Sequence, residues 1–226
     1  MYVEADLIPE AWELSLLYLF ENGIEIKTEY GEMSIDTPIV IKINDPLREP
    51  RIHLKGCVSG LQGLKEYIDE VLYGREYRVV SYTYHDRLFK YRGVDQIEYI
   101  VEKLKSAPYS RRAQAITWIP EIDTRSSYPP CLQRIWTRIV DGRLIMHVHI
   151  RSNDALKAAF MNIMAFISLQ CHIASLLGVP VGYYLHVADS YHVYERDLKW
   201  LVKFVDQIRS GESKKWWLNS RVLDTR

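Results

Sequence analysis

Pro129-Pro130-Cys131, then Leu132 to Val140, Asp141-Gly142, Leu144 to Ile150 and Arg151-Ser152-Asn153-Asp154 form the stretch that decides the fold. Both long segments are rich in strand-forming residues, and Asp-Gly between them is a strong signal for a tight hairpin. Such a hairpin returns residue 151 to the level of residue 131. A thiol (Cys131), a guanidinium (Arg151) and a hydroxyl (Ser152) therefore meet at its open end. Asp154 can then cap a helix predicted over Ala155 to Leu177, which Gly178 ends.

Working outward, Pro9 to Glu21 reads as a helix with proline near its start and Asn22-Gly23 after its end. Ser34 to Ile43 alternates as a strand. Leu61 to Leu72 and Asp95 to Lys105 repeat apolar residues at helical spacing. Ala113 to Ile119 and Val181 to Val187 are predicted strands, and Val193 to Ile208 a helix. Strands and helices without regular βαβ alternation predict an α+β fold, with one domain over residues 1–226.

Composition narrows the function classes. The 226 residues are 48% hydrophobic, enough for one substantial core. Lys plus Arg and Asp plus Glu are each 29, so there is no basic excess of the kind that follows a nucleic-acid backbone. The apolar run Ala155 to Leu177 is broken by Lys157, Asn162, Ser168, Gln170 and His172 and reads as too polar to span a bilayer; no secretion signal opens the chain. Cys57, Cys131 and Cys171 show no CxxC spacing, which predicts reduced thiols and a cytoplasmic location.

Chemistry concentrates at element ends. A guanidinium beside Cys131 would favour the thiolate and lower its pKa, making it a nucleophile; the competing reading is an inert core cysteine beside a structural salt bridge. Arg111 and Arg112 suit bidentate phosphate binding, or form a solvated pair. His192 and Tyr194 share a face only if extended. His147 and His149 have no third ligand at suitable spacing, so no metal is expected. Trp216-Trp217 reads as exposed.

Together these residues resemble the thymidylate synthase family from about Asp95 to Leu198. The matching motifs are Ser110-Arg111-Arg112, Pro130-Cys131, Arg151-Ser152-Asn153-Asp154, Asn162-Ile163 and His192-Val193-Tyr194. The resemblance implies a large mixed sheet flanked by helices, a homodimer paired through one sheet face, and conversion of dUMP to dTMP. It implies that Cys131 adds to uracil C6, with Arg151 and Ser152 holding the 5′-phosphate and activating the thiol. Arg111 and Arg112 would complete the phosphate site, reaching it across the dimer interface. Asn162 would read O4 and N3 of uracil, His192 and Tyr194 the ribose 3′-hydroxyl, and Asp154 the pterin. Tyr84 or Tyr82 would serve a proton relay. The one-carbon donor would be methylenetetrahydrofolate or, as in shorter archaeal-type members, a modified pterin such as methylenetetrahydromethanopterin. No metal and no stable nucleic-acid partner are implied.

The departures fall on one side of the pattern. No counterpart to the family's N-terminal phosphate-binding arginine is found near Tyr30-Gly31, and its pocket acid is not evident around Gly60 to Glu66. Ile150 stands where glutamine is usual, Lys157-Ala158-Ala159 replaces a glycine-rich turn, and the acid before the His-x-Tyr is shifted to Asp189. The chain ends at Arg226 without an apolar closing tail, which would favour water over hydride as second reactant and give a 5-hydroxymethyl product. The other alternative is a non-catalytic nucleotide- or RNA-binding homologue.

Overall fold

The computed structural model describes residues 1–75 and 82–224. In chain order the strands are β1 (Tyr2–Ala5), β2 (Ile24–Lys27), β3 (Met33–Ile43), β4 (Ile52–His53), β5 (Gln114–Ile116), β6 (Leu132–Val140), β7 (Arg143–Asp154), β8 (Val181–Tyr194) and β9 (Trp217–Leu218). The helices are α1 (Ile8–Asn22), α2 (Gly60–Tyr73), α3 (Tyr84–Phe89), α4 (Gln96–Ser106), α5 (Pro120–Asp123), α6 (Ala159–Leu177) and α7 (Leu198–Arg209). Among the described residues, seven strands form one mixed sheet in the order β1-β3-β8-β7-β6-β5, with β2 also on β3. β4 and β9 make a separate ribbon. This is the expected α+β architecture.

The β6–β7 hairpin turns at Asp141-Gly142, both at positive φ (49° and 72°), the left-handed pair that such a turn demands. It pairs Leu132 with Ile150, and the Arg151 N–H donates to the Cys131 carbonyl at 2.9 Å, as the sequence predicts. β7 and β8 run parallel, and α6 makes the crossover between them. Trp12, Phe160, Phe166, Ile41, Met146 and Val148 pack between sheet and helices with essentially no exposure.

α6 is long and apolar enough to cross a membrane by length and composition, contrary to the reading of its polar interruptions. Most of its surface is instead taken up by the sheet and the neighbouring helices. Gln170, wholly buried on this helix, donates through Nε2 to the carbonyls of Leu144 (2.8 Å), Tyr183 (3.2 Å) and Gly182 (3.3 Å), and so ties β7 to β8.

Several boundaries move. Asp154 does not cap α6: its Oδ1 accepts from the Leu156 and Lys157 N–H groups (3.0 and 2.9 Å), closing a local turn before the helix starts at Ala159. β8 runs on to Tyr194, because hydrogen bonding to β3 and β7 outweighs the helical pattern read from Val193. Trp216 and Trp217 are half-buried rather than exposed. Trp217 Nε1 donates to Glu13 Oε1 at 2.8 Å, and that oxygen also bonds His53 Nε2 at 3.0 Å.

Candidate active site

A cavity of about 880 Å³ opens between the sheet and helices α2 and α6. Its lining includes Cys131, Arg151, Ser152, Asp154, Asn162, His192, Tyr194 and Tyr84, residues that sequence separates by as much as 110 positions. Arg111 and Arg112 do not line it; both are exposed elsewhere on the chain. Of the two tyrosines considered for a proton relay, Tyr84 lines the cavity and Tyr82 does not.

Cys131 is half-buried at the end of the Pro-Pro turn. Burial pushes its thiol pKa up, and the nearby Arg151 charge only partly offsets this. The expectation of a net lowered pKa is therefore corrected. Arg151 spends donors on the backbone of that turn, Nε to the Pro130 carbonyl (3.1 Å) and Nη2 to the Pro129 carbonyl (2.8 Å). It thereby fixes where the thiol sits. The Leu132 N–H donates to the Tyr84 hydroxyl at 3.3 Å, bracing the same turn from the other side, and burial holds the Tyr84 phenol well above its usual pKa.

Asn162 lies in the first turn of α6, 7% exposed. Its Oδ1 accepts from the Tyr67 hydroxyl at 2.7 Å, which fixes the orientation of the carboxamide. His192 and Tyr194 lie on β8 rather than at a strand-to-helix junction; being two apart in a strand they share a face, their rings edge-to-face with centroids 4.9 Å apart. Burial raises the Asp154 pKa, opposed by the Lys157 N–H and by His192.

Sequence reading missed the opposite wall. Helix α2 contributes Glu66, Tyr67 and the buried Glu70, so the acid not evident around Gly60 to Glu66 has two candidates on this helix. Helical spacing of three and four puts all three on one face, a signal present in the sequence but ambiguous without knowing where α2 docks. The end of β2 and the β2–β3 turn add Lys27 and Tyr30. Across the sheet, His147 Nε2 bonds the Tyr183 hydroxyl (3.0 Å) and His149 Nε2 bonds Asp189 (2.9 Å). No group of three metal-binding side chains occurs among the described residues.

A family model described as thymidylate synthase matches residues 16–223. The chain belongs to the thymidylate synthase family. A Methanocaldococcus jannaschii protein named "Putative thymidylate synthase" is 38% identical over 197 residues, covering 82% of this chain and 87% of that one. A Methanosarcina mazei protein of the same name is 33% identical, covering 86% and 90%. The thermostable thymidylate synthase A from Bacillus subtilis superposes with a TM-score of 0.66 at 19% identity, over 88% of this chain and 84% of the other. At that identity the superposition speaks for the fold alone.

Proposed function

We propose that the protein is a methyltransferase that converts dUMP to dTMP, with Cys131 as the nucleophile. The observation that carries this reading is the convergence of Cys131, Arg151, Ser152, Asn162, His192 and Tyr194 on one cavity. Its size falls within the usual range of small-molecule sites, about 300–1,000 Å³. The Cys131 sulfur forms a bond to uracil C6, and the ring electrons move to C5 as an enolate. Because burial disfavours the thiolate, the incoming phosphate and ring must complete the activation: Arg151 pairs the phosphate while still holding the Pro129-Pro130 turn, and Ser152 donates to it. Asn162, set by Tyr67, donates to O4 and accepts from N3–H. His192 and Tyr194 bind the 3′-hydroxyl.

A reduced pterin supplies the one-carbon unit and, in the methylating reaction, the hydride. Asp154, a half-buried carboxyl on the cavity wall, is the residue that would hold it. The open sheet face carrying Trp136, His147 and Tyr183 would pair with a second copy, placing Arg111 and Arg112 at the partner's phosphate site. A cytoplasmic location goes with this reading.

Thiol-dependent release of bromide from 5-bromo-dUMP tests the first step without any pterin. Release from the uracil nucleotide and not from 5-bromo-dCMP, falling at least about 1,000-fold in Cys131→Ala, is the expected result. Binding of the nucleotide without release by the unmodified protein would reject Cys131 as the nucleophile.

A further inference from the structure

We propose that Asp36, acting through Ser190, fixes the tautomer of His192 so that its Nε2 faces the ligand as a hydrogen-bond acceptor. Asp36 is thus a positioning residue for the hydroxyl-binding end of the pocket. The identity of that hydroxyl as a nucleotide 3′-hydroxyl rests on the proposed function; the tautomer does not.

β3 and β8 are antiparallel neighbours with Asp36 directly opposite His192. Alternation along β8 turns Ser190 and His192 to the cavity, and Asp189, just before them, to the far face, where it bonds His149. The acid adjacent in sequence is therefore turned away, and the neighbouring strand delivers another. The Ser190 hydroxyl donates to Asp36 Oδ2. Ser190 Oγ also lies 3.3 Å from His192 Nδ1.

A serine hydroxyl has one proton, and an ionised carboxylate can only accept. With that proton on Asp36, Ser190 presents lone pairs to His192, and the contact is bonding only when Nδ1 carries hydrogen. Neutral imidazole holds a single N–H, so Nε2 is left as a lone pair. Nε2 makes no hydrogen bond among the described residues, while the ring lines the cavity. The opposite assignment, with Ser190 donating to Nδ1, would set a serine lone pair against the carboxylate. The backbone is held as well, since the Ala155 N–H donates to the His192 carbonyl at 2.8 Å. Asp154 is the other carboxylate whose charge reaches this ring.

Nitrogen-15 spectra of labelled protein at pH 8 read the tautomer directly, without ligand. The expected result is Nδ1–H for His192, shifting toward Nε2–H in Asp36→Ala as Ser190 is freed to donate inward. Ser190→Ala breaks the same relay from its middle and covers the case in which Asp36→Ala folds poorly. Each variant is expected to lower the preference for dUMP over 2′,3′-dideoxyuridine 5′-monophosphate about tenfold in Kd, with the double variant losing no more. A proton on Nε2 in the unmodified protein, or spectra and preference unmoved in both variants, overturns the proposal. Failure of bromide release with the expected tautomer would count against the nucleotide reading and leave the Asp36 assignment standing.

Discussion

The two walls of the cavity are made in different ways. One is a run of strand ends: the last residues of β7 and β8 and the residue before β6, with Asn162 in the first turn of α6. Backbone ladders set their spacing, and cross-strand register places Ser152 opposite Ser190 and Asp154 opposite His192. The other wall is helix α2, held by side-chain packing and by single bonds such as Tyr67 to Asn162, with the β2–β3 turn beside it on a ladder of its own. Ladders keep motif residues at fixed separations in sequence; docking a helix does not. The difference teaches that the first wall is rigid by construction, and that the second is coupled to it through a few replaceable contacts.

The sharpest way to break the comparison is Tyr67→Phe. If α2 orients Asn162 through one hydroxyl, its loss should lower the uracil-over-cytosine preference in bromide release about thirtyfold, ~2 kcal/mol. An unchanged preference would make α2 a passive lid and leave specificity to the strand wall alone.

Next comes the interior of the strand wall. His186 is fully buried on β8 between the Tyr184 hydroxyl (3.0 Å to Nδ1) and Asn153 Oδ1 (2.8 Å to Nε2), and burial lowers its pKa to about 3. The folded pKa lies below the unfolded value, about 6.5. The unfolded chain therefore takes up a proton first as pH falls, and stability is lost between about 6.5 and 3. In His186→Gln that acid slope should flatten, by about 2 kcal/mol between pH 6.5 and 4 in urea unfolding. A slope unchanged by the substitution would move acid sensitivity to other groups.

The smallest effect is expected at Asp154. Its folded pKa is raised, so ionisation costs stability as pH rises from the unfolded value, about 3.9, through the folded one. Asparagine keeps the acceptor for the Leu156 and Lys157 N–H groups. Asp154→Asn should then be more stable than the parent at pH 7 by no more than about 1 kcal/mol, with the gap closing below pH 4. A variant less stable at pH 7 would mean the charge itself supports the turn.

What could be read from sequence follows the same division. The hairpin was legible because Asp141-Gly142 imposes one turn, and with it the meeting of Cys131 and Arg151. Asn162, His192 and Tyr194 were legible as motif residues, but the motifs said nothing of what orients them. Tyr67 and Asp36 went unread because each acts through a neighbour far away in the chain. The direction of the Cys131 pKa was misread because charge is visible in a sequence and burial is not. The chain end at Arg226, from which water was expected over hydride as second reactant, lies outside the described residues.

Gln170 gives the fold a calibration mark. It stands near the start of β8, well away from Cys131, yet its one amide nitrogen is shared among three carbonyls, one on β7 and two on β8. Sliding one strand past the other by a single step would strand a buried donor and turn every pocket group on β8 to the wrong face. The tolerance to which the pocket is assembled is thus set by a side chain that no ligand touches. Changes at Gln170 should appear first as a loss of precision in catalysis, before any loss of the fold.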